Sequence, residues 1–376
     1  MRVIRYEERA VEGLNVALYE VEVNNARLST PVKALTKSEL IAKQFSRSNV
    51  YLPDQVFVCS STYRKEDELY LNEALEKIRM LLSSSNKAFI YIPFPKGHGL
   101  DGVKSSVEYQ HDSSTSLLAV PVVDLPEDMA ISAVKKVVTE YKDYAVFPVV
   151  GLSTKELRKA KGLLERIQDI EGIIIKFRKG IDSFNEVHKE VAGLSSLVKK
   201  YKKLPIVIDL PEAFQVTLRG RKIVLESITL LRYFFGGVFS YRSRFILSRN
   251  VEKGKTYYAT VQNKFEKAFI VDPITYRPVP LAELQNDYRK LEQIKEWARS
   301  FALPDGETAA FILDHIEEAF NDPDPEKKLV ISSLVSSLNS IIVYLELEEF
   351  RRDVAYFKND TLRSVVKYFS GLGAFE

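Results

Sequence analysis

The sequence predicts an α/β fold: a (β/α)8 TIM-type barrel with an N-terminal antiparallel β element and a helical C-terminal region. Three observations predict it. Short β-rich runs recur, each followed by a helix-patterned stretch. The runs are apolar almost without interruption, as parallel strands buried on both faces are. After Tyr258 the strand–helix rhythm gives way to long amphipathic stretches. Seven or eight strand–helix units favour a closed barrel over an open sheet.

In chain order, the alternation within residues 14–23 reads as an antiparallel strand that could cover one end of the barrel. The barrel runs are Gln55–Ser60, Lys87–Phe94, Leu117–Asp124, Tyr144–Gly151, Gly172–Phe177, Pro205–Leu210 and Gly236–Tyr241. Between them lie helical patterns at Glu66–Leu82, Pro126–Tyr141, Thr154–Asp169 and Ser183–Tyr201. Ser153-Thr154-Lys155-Glu156 supplies a hydroxyl cap followed by a glutamate, a helix-start signal. Lys264–Asp272 is one more strand-like run. Leu281–Ser300, Glu307–Phe320 and Lys328–Leu347 then read as helices, broken at Asn321-Asp322-Pro323-Asp324-Pro325. The expected division is 1–50 for the N-terminal β element and first helix, 51–280 for the barrel, and 281–376 for the helical region.

Composition narrows the function classes. Of 376 residues, 45% are hydrophobic and 28% charged, which excludes a disordered or collagen-like chain. Four histidines and the single Cys59 exclude a site built from several thiolates, and no H-E-x-x-H or Walker A sequence occurs. No metal site and no cofactor are expected. No apolar run reaches the roughly 18–20 residues that span a bilayer, and MRVIRYEERAVEG does not read as a signal peptide. The expected location is cytoplasmic, with no membrane partner.

The net charge of +3 is unevenly spread. From Lys199 to Arg299 there are 20 Lys and Arg against 10 Asp and Glu, leaving −7 for the remainder. This third holds Lys199-Lys200-Tyr201-Lys202-Lys203, Arg219-Gly220-Arg221-Lys222 and Tyr241-Arg242-Ser243-Arg244. Cations interleaved with tyrosines suit phosphate contacts with base stacking. Lys199–Lys203 also suits a helix end, where cations complement the dipole. Arg242 and Arg244 follow an apolar strand and would sit at its end.

In such a barrel, chemistry is expected at the C-terminal ends of the strands. After the second run, Pro95-Lys96-Gly97-His98-Gly99-Leu100-Asp101-Gly102 can bring backbone close to a ligand, with His98 and Asp101 beside it. The third run ends at Asp124, which can bind the donor edge of a base, act as a general base, or cap the helix that Pro126 begins. Asp209 repeats that arrangement in Ile208-Asp209-Leu210-Pro211-Glu212. His111, next to Gln110, reads as a structural partner on a short helix. Cys59 reads as packing.

Ser106-Val107-Glu108-Tyr109-Gln110-His111-Asp112, running into Leu118–Asp124 and Leu125-Pro126-Glu127-Asp128, resembles a segment of the tRNA-guanine transglycosylase family. In that segment an "I-E-x-Q" helix precedes a strand that ends in a base-recognising aspartate. Val149-Val150-Gly151 with Thr154-Lys155-Glu156-Leu157-Arg158, Phe235-Gly236-Gly237-Val238-Phe239-Ser240 and Arg27-Leu28-Ser29-Thr30-Pro31 are similar to further family segments. The resemblance covers roughly residues 14–280. It implies base exchange on nucleic acid, with Asp124 and Gly151 at the base. The family's nucleophilic aspartate falls at Ser240, so Asp101 or Asp209 would have to supply the carboxylate. The family's structural zinc needs three cysteines and a histidine, and Cys59 is this sequence's single cysteine.

Two readings follow. One is a divergent member that binds tRNA or DNA and a guanine or 7-deazaguanine base, with Arg242, Arg244, Arg219, Arg221 and Lys222 on phosphates. The other is a non-catalytic barrel that serves as a partner-binding or structural subunit in a homo- or hetero-oligomer.

Overall fold

The computed structural model describes residues 1–24, 26–35, 56–63, 88–95, 99–242, 265, 268–300, 305–322, 324–355, 357 and 359–371. The predicted helix at 66–82 lies outside them. An N-terminal antiparallel sheet comes first: β1 (Arg2–Val11), β2 (Leu14–Val23) and β3 (Ala26–Ser29), in that order. The alternating sequence of β2 buries Leu14, Val16, Tyr19, Val21 and Val23. The preceding strand, Arg2–Val11, is mostly polar and was not among the predicted elements.

Among the described residues, eight strands then run parallel: β4 (Val32–Lys33), β5 (Phe57–Tyr63), β6 (Phe89–Pro95), β7 (Leu118–Pro121), β8 (Val146–Gly151), β9 (Gly172–Lys176), β10 (Leu204–Leu210) and, after the hairpin of β11 (Ala213–Leu218) and β12 (Arg221–Glu226), β13 (Val238–Tyr241). The closed barrel expected from the strand–helix alternation is not what their ladders form. Six strands make one sheet in the order β4-β13-β10-β9-β8-β7, while β5 and β6 pair separately. A single bridge from Leu35 to Phe57 links the pair to the β4 side. Between β6 and β7 no ladder runs. The main-chain bond across that seam is Ser116 N–H to the Phe89 carbonyl, at 2.8 Å.

The physical reason lies in one side chain. Gln110 lies on α1 (Gly99–Asp112), fully buried. Its Oε1 accepts from the Ala119 amide and its Nε2 donates to the Ala119 carbonyl, both at 2.7 Å. The amide thus takes the place of a neighbouring strand. Pro93, Pro95 and Pro121 add positions with no N–H to give a ladder.

Helices pack on the outer face: α2 (Glu127–Glu140), α3 (Thr154–Arg166) and α4 (His188–Lys200). Their apolar stripes meet the strands in one cluster that includes Val134, Leu163, Val191, Val150, Ile173 and Val207. The other sheet face gathers Ala34, Val58, Ile90, Ala119, Val149, Ile174, Ile206 and Val238 against Ala17, Tyr19 and Val21 of β2. Two glycines make that approach possible. A Cβ on Gly236 would stand 1.7 Å from the Ala17 carbonyl oxygen, and one on Gly237 2.0 Å from that of Pro205. Gly236 also has φ of +67°, a region L side chains rarely adopt. The Thr30 hydroxyl donates to the Gly236 carbonyl. So Phe235-Gly236-Gly237 and Thr30 have a packing explanation.

A short helix, α5 (Ser227–Leu231), follows the hairpin. Its cap, Glu226, is fully buried: Oε2 accepts from Thr229 N–H at 2.8 Å and from the Thr229 hydroxyl at 3.0 Å. Oε1 has no hydrogen-bond partner among the described residues. The C-terminal region holds β14 (Phe269–Val271), β15 (Pro278–Pro280), α6 (Leu281–Asn286), α7 (Tyr288–Arg299), α8 (Asp305–Phe320), α9 (Pro325–Arg352) and α10 (Asp360–Ser370). The stretch predicted as one helix from Leu281 to Ser300 is two, because Asp287 leaves helical geometry and caps the second by accepting from Lys290 N–H.

The long helix α9 is tied to the sheet, to the end of α5 and to the β14–β15 hairpin by buried polar contacts. Arg232, fully buried, pairs with Glu346, which also accepts from the Tyr276 hydroxyl. Lys33, on β4, donates to the Ser340 hydroxyl at 2.6 Å. Asn339 bonds the backbone of Val271 and Phe269 at 2.8 Å each. Among the described residues no helix is long and apolar enough to cross a membrane.

Candidate functional site

The C-terminal ends of the parallel strands bring together side chains far apart in sequence. Lys176 ends β9, the run Gly-Ile-Ile-Ile-Lys, in register with Gly151 and Ile208. Its Nζ lies 3.3 Å from the centre of the Phe94 ring, from β6, and 3.9 Å from Asp209 Oδ2. Burial lowers the Lys176 pKa from its ordinary value, and the charges of Asp209 and Asp124 offset part of that.

Asp209 is held in an unusual way. Its φ is +59°, rare for a residue with a side chain. The strand pairing of β10 with β13 shifts register between Val207 and Leu210, around this residue. Ser60, on β5, donates to Asp209 Oδ1 at 3.3 Å. Arg242 donates through Nε to the Asp209 carbonyl at 3.3 Å and through Nη2 to the Arg178 carbonyl at 2.9 Å. The guanidinium therefore braces the backbone that carries the strain, a positioning role.

Asp124 stands at the rim, exposed, after β7. The helix-capping alternative does not apply to it, because Pro126 occupies the N-cap of α2 and no side chain caps that helix. The backbone leading to Asp124 is clamped from α3. Buried Lys159 donates to the carbonyls of Val122 and Val123 at 2.8 and 2.6 Å and to Glu156 Oε1 at 2.6 Å. Glu156 Oε2 accepts from Gly151 N–H at 2.8 Å. The predicted start signal is real, since Ser153 caps α3 by accepting from Glu156 N–H. The glutamate side chain, however, reaches back to the strand end.

The other sequence-predicted residues fall elsewhere. Asp101 is exposed on the first turn of α1, lining a 280 Å³ groove against α2 with Lys136 and Glu140. Ser240 is buried and donates to the Tyr241 carbonyl at 3.2 Å. Gly151 gives its N–H to Glu156, and a Cβ there would meet Glu156 Cγ at 3.2 Å, so its smallness serves packing. Arg219, Arg221 and Lys222 sit at the turn of the β11–β12 hairpin, on the surface. His98 and Arg244 lie outside the described residues. His111, in the last turn of α1, meets the rings of Tyr141 and Tyr144 in tilted contacts at 5.3 and 5.4 Å. Lys199 and Lys203 bind the carbonyls of Asn15, Gln168 and Ile170, so this charge run in part fastens a helix end.

Asp209 is thus the predicted residue that stands inside the cluster, with Asp124 and Arg242 at its edge. Sequence reasoning missed Lys176, Ser60 and Phe94. A lysine closing an otherwise apolar strand run was the available signal for Lys176. Ser60 and Phe94 carry none, because they matter only through what another strand places opposite them.

No family model matches the chain, and no curated protein does. Solved structures that it matches are alcohol dehydrogenases. The iron-containing alcohol dehydrogenase from Corynebacterium glutamicum ATCC 13032 is 9% identical over 83% of this chain, at a TM-score of 0.16. The iron-containing alcohol dehydrogenase from Thermotoga maritima is 12% identical over 85% of this chain and 69% of its own, at 0.20. A further iron-containing alcohol dehydrogenase is 12% identical over 92% of this chain and 86% of its own, at 0.22. The chain spans 61% of the Corynebacterium protein's length. Such scores carry no argument for a shared activity. The expected transglycosylase membership is corrected on the chain's own geometry: the ladders leave the sheet unclosed between β6 and β7. Ser240, where the resemblance places the family's aspartate, is buried and donates to the Tyr241 carbonyl. The expected base exchange on nucleic acid falls with the membership.

Proposed function

We propose that the C-terminal edge of the parallel sheet is a binding and acid–base site for a small polar molecule, with Lys176 and Asp209 as its proton-transferring pair. The observation that carries this reading is Asp209 itself. A left-handed backbone at a non-glycine residue costs roughly 1–3 kcal/mol and persists where the surroundings over-determine it. Here Ser60, on β5, and Arg242, just past β13, hold it so that its carboxylate meets Lys176.

The roles follow from the geometry. A lysine whose charged form is disfavoured by burial can give up its proton more readily than one in water. A carboxylate 3.9 Å away can take that proton, directly or through a substrate hydroxyl. Ser60 fixes which Asp209 oxygen faces the lysine. Asp124 offers a second carboxylate to substrate hydroxyl or amino groups, and the Phe94 ring closes one wall. The two aspartates, Lys176 and Arg242 balance in charge, which suits a ligand bearing both donors and acceptors.

A thermal-shift screen of sugar phosphates, 2-oxo acids and polyols on the wild type and Asp209→Asn tests the assignment. A ligand at a hundred times its Kd adds about 2.7 kcal/mol of stability. Compounds that stabilise the wild type and leave Asp209→Asn unmoved support the site. Compounds that stabilise both equally refute it.

A further inference from the structure

We infer that Lys176 is a nucleophilic amine that condenses with the carbonyl group of an aldehyde or ketone substrate to form an imine. This deepens the acid–base reading above and rests on the same site. Its first support is a contrast among the lysines that the fold encloses. Lys33 is hydrogen-bonded to Ser340, Lys159 to three oxygens, and Lys295 to Glu317 with Asp314 at 3.1 Å. Each has a hydrogen-bond acceptor at its Nζ. Lys176 makes no hydrogen bond among the described residues: its closest charged group, Asp209, is at 3.9 Å, and the Phe94 ring at 3.3 Å shuts out water on one side while its face attracts the cation.

An ammonium that burial disfavours and that no hydrogen bond holds gives up its proton to a nearby carboxylate more readily than one in water. Its side chain is still 27% exposed, so a small electrophile can reach Nζ. The position is rigid, on a strand paired on both sides. A nucleophile needs that rigidity to meet a carbonyl carbon at a fixed angle.

The step balances with groups on the page. The neutral amine of Lys176 adds to the carbonyl carbon. A C–N bond forms, and the C=O π pair moves to oxygen, which takes up the proton that Lys176 passed to Asp209 on becoming neutral. The nitrogen loses a proton to Asp209, giving a carbinolamine. Asp209 returns that proton to the hydroxyl, which leaves as water while the nitrogen lone pair forms C=N. One water is released, and no oxidant or reductant is required. Asp124, also near enough for its charge to act on Lys176, favours the resulting iminium.

The test is reductive trapping on the full chain. Protein is incubated with glycolaldehyde, pyruvate or dihydroxyacetone, sodium cyanoborohydride is added, and adducts are located by peptide mass mapping. The expected result, for at least one probe, is an adduct at Lys176 formed at least tenfold faster than at exposed Lys179, and slowed at least tenfold in Asp209→Asn. The map of the wild type reads the site directly, so the conclusion does not depend on a variant that folds. Lys176→Arg should lose this adduct and keep the slow background. Trapping at Lys176 no faster than at Lys179 with every probe overturns the covalent role. If the same carbonyl compounds still raise the melting temperature of the wild type but not of Asp209→Asn, the binding site stands without it. If they stabilise neither protein nor trap at Lys176, both readings fail.

Discussion

Glu226 makes a quantitative test of how the sheet and the helix that follows the hairpin are joined. Burial raises its pKa from 4.5 to about 7, with the Thr229 hydrogen bonds pulling partly the other way. The folded protein therefore holds a proton on Glu226 at pH values where the unfolded chain has lost it. Stability from this group is fully present below pH 4.5 and is lost as pH rises through 7. Between those values the unfolding free energy should fall by roughly 1.4 kcal/mol per pH unit, about 3 kcal/mol in all. Glu226→Gln removes the titration while its carbonyl can still accept from Thr229 N–H. Urea unfolding of both proteins from about pH 4.5 to 8, followed by the fluorescence of the single tryptophan, Trp297, gives the two curves. Their difference should grow in favour of the Glu226→Gln variant across that window. Parallel curves would refute the argument, since they would mean the carboxyl ionises in the folded protein as it does in water.

Three further outcomes follow from the packing. Gln110→Leu leaves the buried Ala119 N–H and C=O without partners and should cost roughly 2–4 kcal/mol, with faster hydrogen exchange at Ala119 than at its β8-paired neighbours. Lys159→Met leaves Glu156 uncompensated beneath the Asp124 turn and should cost about 3–5 kcal/mol in urea unfolding. The double change with Glu156→Leu should recover part of that loss, and no recovery would show that the pair is not a unit. Gly236→Ala meets the Ala17 carbonyl, an atom that cannot swing aside, so the expected result is loss of the soluble folded protein on expression.

Much of the strand–helix order was legible because burial on both faces forces unbroken apolar runs. Val146–Gly151, Gly172–Lys176 and Leu204–Leu210 fall within a residue or two of their predicted bounds. Closure was not legible. Whether β6 and β7 pair is decided by Gln110, a helix residue whose amide competes with a strand, and no periodicity reports that. The hairpin of β11 and β12 was missed because Glu212 and the cations around Gly220 dilute its alternation. Asp209 was legible as a candidate because a carboxylate closing an apolar run is costly to bury. The strain that distinguishes it from Asp124 is a backbone property invisible in residue types.

The contacts between α9 and the sheet have a consequence for how this chain can be divided. Arg232, Lys33 and Tyr276 face the helix with charges and hydroxyls, not with an apolar surface that water could cover at moderate cost. Cutting the chain ahead of Pro325 would leave a fully buried guanidinium without its carboxylate. A shortened descendant lacking the last helices would have to change the sheet at the same time. The helical region and the α/β sheet should thus be inherited, expressed and unfolded as one piece, and protease nicking that releases α9 should unfold both.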